Sequence, residues 1–155
     1  MLIKEGNLLD LSLKGEFDII INPSNCFHTP VSNLAKTIWK TYPFSKYIDL
    51  RTTKGNIKKL GGFSKCTVDL REIDFKLNKK LIVVNGYLYY SNEEPKFNYK
   101  NLKILFKLIK KKYPGKVIGF PLIGHGLKDI SITKICEIID EELEGEEYYM
   151  VIDVK

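Results

Sequence analysis

The stretch Phe17 to Pro43, FDIIINPSNCFHTPVSNLAKTIWKTYP, constrains this chain more than any other. Asp18-Ile19-Ile20-Ile21 is a β-branched run, and a strand buried on both faces reads as continuous apolar sequence, not as alternation. Asn22-Pro23-Ser24-Asn25 interrupts it, because Pro cannot donate to a sheet ladder and Asn and Ser favour turns. Val31, Leu34, Ala35, Ile38, Trp39 and Tyr42 then recur at helical spacing. Thr29 before Pro30 predicts an N-cap with Pro in the first turn, and Pro43 ends the helix. A strand that feeds a loop and then a helix N-terminus is where α/β proteins hold anionic ligands.

The same grammar recurs along the chain. Met1 to Lys4 reads as a first strand, with a turn over Gly6-Asn7-Leu8-Leu9-Asp10. Phe17 to Asn22 is the second strand. Phe44 to Gly62 is polar and Lys-rich and reads as a connecting loop. Phe63 to Leu70 alternates as a strand, and Leu81 to Asn85 is a second buried-strand pattern, followed by Tyr87, Tyr89 and Tyr90. Ser91 to Lys96 is a polar loop. Asn98 predicts the cap of a helix with Leu102, Leu105, Phe106, Ile109 and Tyr113 inward, ended by Pro114-Gly115. Lys116 to Pro121 is a third buried strand, running into a glycine-rich loop. Ser131 caps a helix with Ile132, Ile135, Cys136 and Ile139 inward, and Tyr148 to Val154 is a last strand. Strands and helices in alternation, with an extra strand pair in the middle, predict an α/β fold with a mixed central sheet sandwiched between helix layers.

A length of 155 residues and 44% hydrophobic content fit one folded domain over residues 1–155. No apolar run nears the roughly 20 residues of a membrane-spanning helix, so no membrane partner is expected. MLIKEGN lacks a signal peptide's apolar core, and the expected compartment is the cytoplasm. Cys26, Cys66 and Cys136 are odd in number and far apart, and read as free thiols with no metal site. The net charge is +6, nearly all of its basic residues being Lys. This excess reads as a solvated surface before a nucleic-acid footprint, and the abundance of Lys, Ile, Asn and Tyr hints at a low-GC bacterial or phage source.

Two loops carry the candidate chemistry. In a parallel sheet, the loops after Asn22 and after Pro121 lie at the same carboxyl end and line one crevice. In the second, Gly124 and Gly126 flank His125, and glycines let backbone N–H groups approach an anion closely. Asn25, Cys26, His28, Ser32, Asn33, His125, Asp129 and Ser131 are the polar or reactive side chains. A Cys26 thiolate activated by His28 or His125 would be a nucleophile; the plainer reading packs Cys26 as a small apolar residue. Tyr87, Tyr89 and Tyr90 read equally as base-stacking rings or as a half-buried strand.

With these blocks in order, the chain resembles the macro domain, which binds ADP-ribose and its derivatives, and most of all the branch of ADP-ribose 1″-phosphate phosphatases and phage-type proteins. The resemblance rests on Gly6-Asn7-Leu8-Leu9-Asp10, on Asn25-Cys26 followed by Ala35 and Tyr42-Pro43, and on Pro121-Leu122-Ile123-Gly124-His125-Gly126-Leu127. It implies a three-layer fold and ADP-ribose or a related nucleotide as partner, with no cofactor. By the resemblance, Asn7 sits at the adenine and Asn25 faces the distal ribose. The loop from Cys26 to Leu34, with His28, Ser32 and Asn33, matches the segment that wraps the distal ribose and diphosphate, and Asn22 is a further expected ligand contact. Ile123, Gly124, His125, Gly126 and Leu127 form the loop whose N–H groups hold phosphate.

Two departures stand out. The family's Met-Gly-x-Gly is replaced by Pro30, Val31, Ser32 and Asn33, and Ser131 stands where active relatives carry an aspartate. The first expectation is therefore a nucleotide binder with weak or no catalysis, a reader or sequestering protein. The alternative is a hydrolase of ADP-ribose 1″-phosphate or ADP-ribosyl adducts, with Asn25 orienting water and Asp129 or His125 as acid/base. A third reading keeps the fold without the pocket, and binds a protein or nucleic acid through the Lys-rich helix Lys100 to Lys112.

Overall fold

The computed structural model describes residues 1–153. Six strands form one sheet in the order β1-β6-β5-β2-β4-β3. They are β1 (Leu2–Glu5), β2 (Ile19–Asn25), β3 (Phe63–Asp69), β4 (Lys80–Tyr89), β5 (Ile118–Pro121) and β6 (Tyr148–Ile152). All neighbours are parallel except β3, which runs antiparallel to β4 at one edge. The helices are α1 (Leu8–Leu13), α2 (Asn33–Thr41), α3 (Pro43–Leu50), α4 (Tyr99–Lys112) and α5 (Ile132–Glu142). This is the expected α/β sandwich with a mixed sheet.

The β-branched runs explain the layering. Ile19, Ile20 and Ile21 are all fully buried, alternately into two cores. Ile19 and Ile21 join Leu102, Leu105, Phe106 and Ile109 of α4 and Ile135 and Ile139 of α5. Ile20 joins Leu8 of α1, Ile38 and Tyr42 on the other side. Each such side chain removed from water contributes about 1.5–3 kcal/mol, so a one-residue slip of β2 would empty both cores.

Several local expectations are corrected. Gly6 to Asp10 is not a simple turn, because Asn7 Oδ1 accepts from Asp10 N at 3.1 Å and caps α1. The α2 cap is Ser32, whose Oγ accepts from Ala35 N at 3.0 Å, and not Thr29, which lies three residues earlier in the loop. Residues 44–62 are not a plain loop, since they hold most of α3 and a 3₁₀ turn at Ile57–Lys59. In α3 the buried residues are Ser45 and Asp49, whereas Phe44, Tyr47 and Leu50 face solvent, so its apolar periodicity points away from the core. β4 runs on through Tyr87 and Tyr89. The last strand ends at Ile152, and Val154, its expected end, lies outside the described residues.

β2 also runs past its expected end, through Pro23 to Asn25. It pairs with β4 along its length, but with β5 only at Ile19 and Ile20. Pro23, with no N–H to give, therefore sits where β2 has lost its β5 neighbour. From β2 the chain builds outward to β4 and β3, and from β5 to β6, so the gap is the switch point of the sheet, where α/β proteins bind ligands.

Candidate functional site

A cleft of about 700 Å³ opens at this switch point, within the usual range for small-ligand sites. Its walls come from the carboxyl ends of four parallel strands and from the segment Ser91 to Pro95. Of the residues singled out from the sequence, Asn7, Asn22, Ser32, Leu34, His125 and Leu127 line it. No Lys or Arg among the described residues does. The basic excess of the chain is elsewhere, and an anion here would be held by N–H groups and helix ends.

Asn22 is the most informative of these residues. It is 1% exposed, and its Nδ2 has no hydrogen-bond partner among the described residues. A buried N–H₂ without an acceptor costs about 1–3 kcal/mol, so it stands out as a donor awaiting a partner. Around it, the Asn33 and Leu34 N–H groups lie in the first turn of α2 and have no intrahelical acceptor. Opposite, Gly124 and Gly126 take φ of +80° and +81°, and the N–H groups of His125 and Gly126 bond to nothing within the described chain. A Cβ on Gly124 would lie 2.6 Å from Ile135 Cδ1, so both backbone and packing demand glycine there. Val31 stands half-buried on the cleft wall, and Asn33 is exposed and does not line it.

Tyr89 closes one side. Its hydroxyl accepts the Gly124 N–H at 3.1 Å, and its ring lies 5.8 Å from that of Phe97. Burial raises the Tyr89 pKa, against the lowering effect of the Gly124 hydrogen bond, so the hydroxyl stays protonated. Tyr87 and Tyr90 are not in the cleft. Tyr87 is buried and donates to Asp49 Oδ1 at 2.7 Å, and Tyr90 meets Phe27 edge-on at 5.0 Å.

The other candidates lie behind the cleft or outside it. Asn25 is 1% exposed and its amide is fully engaged. Its Nδ2 donates to Thr29 Oγ1 at 2.7 Å and Asn92 Oδ1 at 2.9 Å, and its Oδ1 accepts from Phe27 N at 2.9 Å and Thr29 N at 3.4 Å. Two donors and two lone pairs are all that an amide offers. Cys26 is buried, and burial pushes its thiol pKa up, with the Lys59 charge opposing and Asp49 adding to the rise. His28, at φ +64°, turns away towards α3, its Nδ1 3.0 Å from Asp49 Oδ2. Ile123 and Gly124 are buried beneath the second loop, while Gly126 and Asp129 are exposed and do not line the cleft. His28, Cys26 and Asp129 are thus not brought together with His125.

Residues not singled out complete the walls, chiefly Ser91, Asn92 and Pro95 over the top and Asp153 at the end near Asn7. Asn92 ties this strap to the first loop, since its Nδ2 donates to Pro30 O at 3.2 Å. The strap was legible in principle, because β4 runs parallel to β2 and must deliver its following loop to the same end. Asp153 follows from pairing alone. Glu5 is in register with Ile152, and Gly6 N donates to Ile152 O at 2.9 Å, so the two chain segments leave the sheet side by side.

No family model matches the sequence, and no curated protein does. Solved structures match its shape. The macrodomain of Thermus aquaticus DarG superposes with a TM-score of 0.69 over 98% of both chains, at 17% identity. The macrodomain of Mycobacterium tuberculosis DarG gives 0.70 over 96% of both, at 14% identity. The chain has the macrodomain fold. A third match is Thermosipho africanus DarTG in complex with ADP-ribose, with a TM-score of 0.65 and 13% identity over 90% of this chain and 39% of that one. Likeness of this order concerns the architecture, and the macrodomain cleft of this chain carries its own set of side chains. No helix among the described residues is long and apolar enough to cross a membrane.

Proposed function

We propose that the cleft binds an ADP-ribose-type nucleotide and holds it with little or no turnover, as a reader or a sequestering protein. The observation that carries this reading is the buried, unpartnered Asn22 Nδ2 on the wall of a cleft of about 700 Å³ at the sheet's switch point. In our reading Asn22 donates to the ligand, and the free N–H groups of Leu34 and His125 take its phosphates. Asn7 serves the base end, and Tyr89 and Leu34 give apolar contact. The ADP-ribose found in the Thermosipho africanus protein supports this choice of ligand. Within the macrodomain-like proteins, we infer kinship with the ADP-ribose 1″-phosphate phosphatase and phage-type branch from the order of the three sequence blocks.

Weak catalysis follows from where the cleft puts its carboxylate: Asp153 stands at the Asn7 end, which in our reading takes the base and not the phosphates. Hydrolysis needs a carboxylate or equivalent base placed on the attacking water. In our reading Asn25 positions the first loop and does not orient water, since every hydrogen-bonding site of its amide is used within the chain. Asp129 stays outside the walls. His125, which does line the cleft, favours the second reading of a slow hydrolase. Calorimetry with ADP-ribose tests the binding reading. One saturable site, weakened about tenfold in Asn22→Ala, supports it, and silence at millimolar ligand overturns it.

A further inference from the structure

The positive charge of this chain is segregated. Residues 19–68 hold eight of its 25 Lys and Arg and only one of its 19 Asp and Glu, namely Asp49. Asp49 is fully buried against Tyr87 and His28, so this segment itself shows solvent no carboxylate. The remainder, 25 less 8 basic against 19 less 1 acidic, is close to neutral. The Lys-rich helix α4, the obvious basic element in the sequence, lies beside acid, with Lys107 and Lys111 flanking the same groove as Glu141 and Glu142. Lys103 Nζ lies 3.7 Å from Glu142 Oε2 of α5, and Lys110 donates to Glu144 O in the acidic turn that follows.

The uncompensated face is built on α2, α3 and the turn after them. Lys40, Lys46, Arg51 and Lys54 are exposed along it. Between them stand Phe44, 71% exposed, and Tyr47, 47% exposed. The two rings meet edge-on at 6.3 Å, and the Arg51 guanidinium lies 6.0 Å from the Tyr47 centroid. These rings are held out by design of the helix, because Ser45 and Asp49 on its other side are anchored inward. Ser45 O accepts from Asn85 Nδ2 at 2.8 Å, and Asp49 accepts from Tyr87.

We propose that this face binds single-stranded nucleic acid, with unpaired bases stacking on Phe44 and Tyr47 and phosphates meeting the flanking cations. Open aromatic faces interleaved with cations are what an unpaired strand uses, since every base has a π-face. An anionic lipid surface shares the charge but calls for a wide apolar face. Here α3 is only eight residues long, and the cations are spread over several elements. The face is separate from the nucleotide cleft, so the two readings fail independently.

The test is fluorescence anisotropy of the full chain with labelled oligothymidylate and oligouridylate of about 15 nucleotides, beside anionic phosphatidylglycerol vesicles. Binding should weaken with salt at a log–log slope of about −3, as for four or so phosphate contacts. Phe44→Ala with Tyr47→Ala should weaken it about tenfold at fixed salt. Lys46→Glu with Arg51→Glu should also abolish most binding, whereas Lys107→Glu with Lys111→Glu on α4 should cost much less. All these side chains are exposed, and thermal melts confirm that each variant folds. No binding at 50 mM salt, equal loss in the α4 variant, or capture of vesicles in preference to oligonucleotide would overturn the proposal.

Discussion

Asn25 Nδ2 lies 2.9 Å from Asn92 Oδ1, and this contact joins the first ligand loop to the strap that roofs the cleft. The same amide holds Thr29 and the Phe27 N–H, so one side chain sets the shape of both segments. Asn25→Ala should destabilise the chain by about 2–3 kcal/mol, because it removes all the hydrogen bonds of a buried amide at once. Asn92→Ala, at an exposed position, should cost under about 1 kcal/mol. Urea titrations with unchanged m-values check both. A stable Asn25→Ala protein that has lost only ligand would contradict the positioning role.

Asn22 predicts the opposite pattern. Its Nδ2 has no partner to lose among the described residues. Asn22→Ala should therefore leave stability unchanged or raise it by up to about 2 kcal/mol while ADP-ribose affinity falls about tenfold. Paired denaturation and calorimetry read the two effects separately. A large loss of stability with unchanged affinity would mean that the amide serves the fold.

Acid sensitivity should trace to Asp18, at the root of β2. Partial burial acts to raise its pKa, but the Val117 N–H at 2.8 Å and the Lys79 ammonium at 3.1 Å outweigh it and hold the carboxyl below its ordinary 3.8. A depressed carboxylate contributes stability that is fully present above its unfolded pKa and drains as pH falls through the folded one. The urea midpoint should accordingly drop below about pH 4, and Asp18→Asn should flatten that part of the profile at the expense of stability at neutral pH. An identical acid limb in the variant would assign the effect to other groups.

The ease of reading this fold varied with how directly each residue's chemistry matches its place. Ile19 to Ile21, Leu81 to Asn85, and the caps Asn98 and Ser131 announce themselves, because burial and capping are local demands. Helix α3 was hidden, since its inward residues are Ser45 and Asp49, satisfied by Asn85 and Tyr87 from a distant strand. Its apolar periodicity, at Phe44, Tyr47 and Leu50, faces solvent and so marks no core face. Part of the cleft was legible too: Asn7, Asn22, Ser32, Leu34, His125 and Leu127 line it, whereas Asn25, Cys26, His28, Asn33 and Gly126 do not. Tertiary hydrogen bonding was not legible. Nothing local shows that Asn25 is saturated from a strap 67 positions away, or that His28 turns to Asp49. Nor could the sequence alone place Asp153 beside Asn7, which depends on β1 pairing with β6.

The central claim is a nucleotide held without turnover, and phosphorus NMR of the protein with ADP-ribose 1″-phosphate tests it most directly. The diphosphate and terminal phosphate resonances should shift and broaden on binding, and no inorganic phosphate should grow in over hours at micromolar protein. Growth of that signal at many turnovers per hour, lost in His125→Ala, or resonances that never move at millimolar ligand, would contradict it.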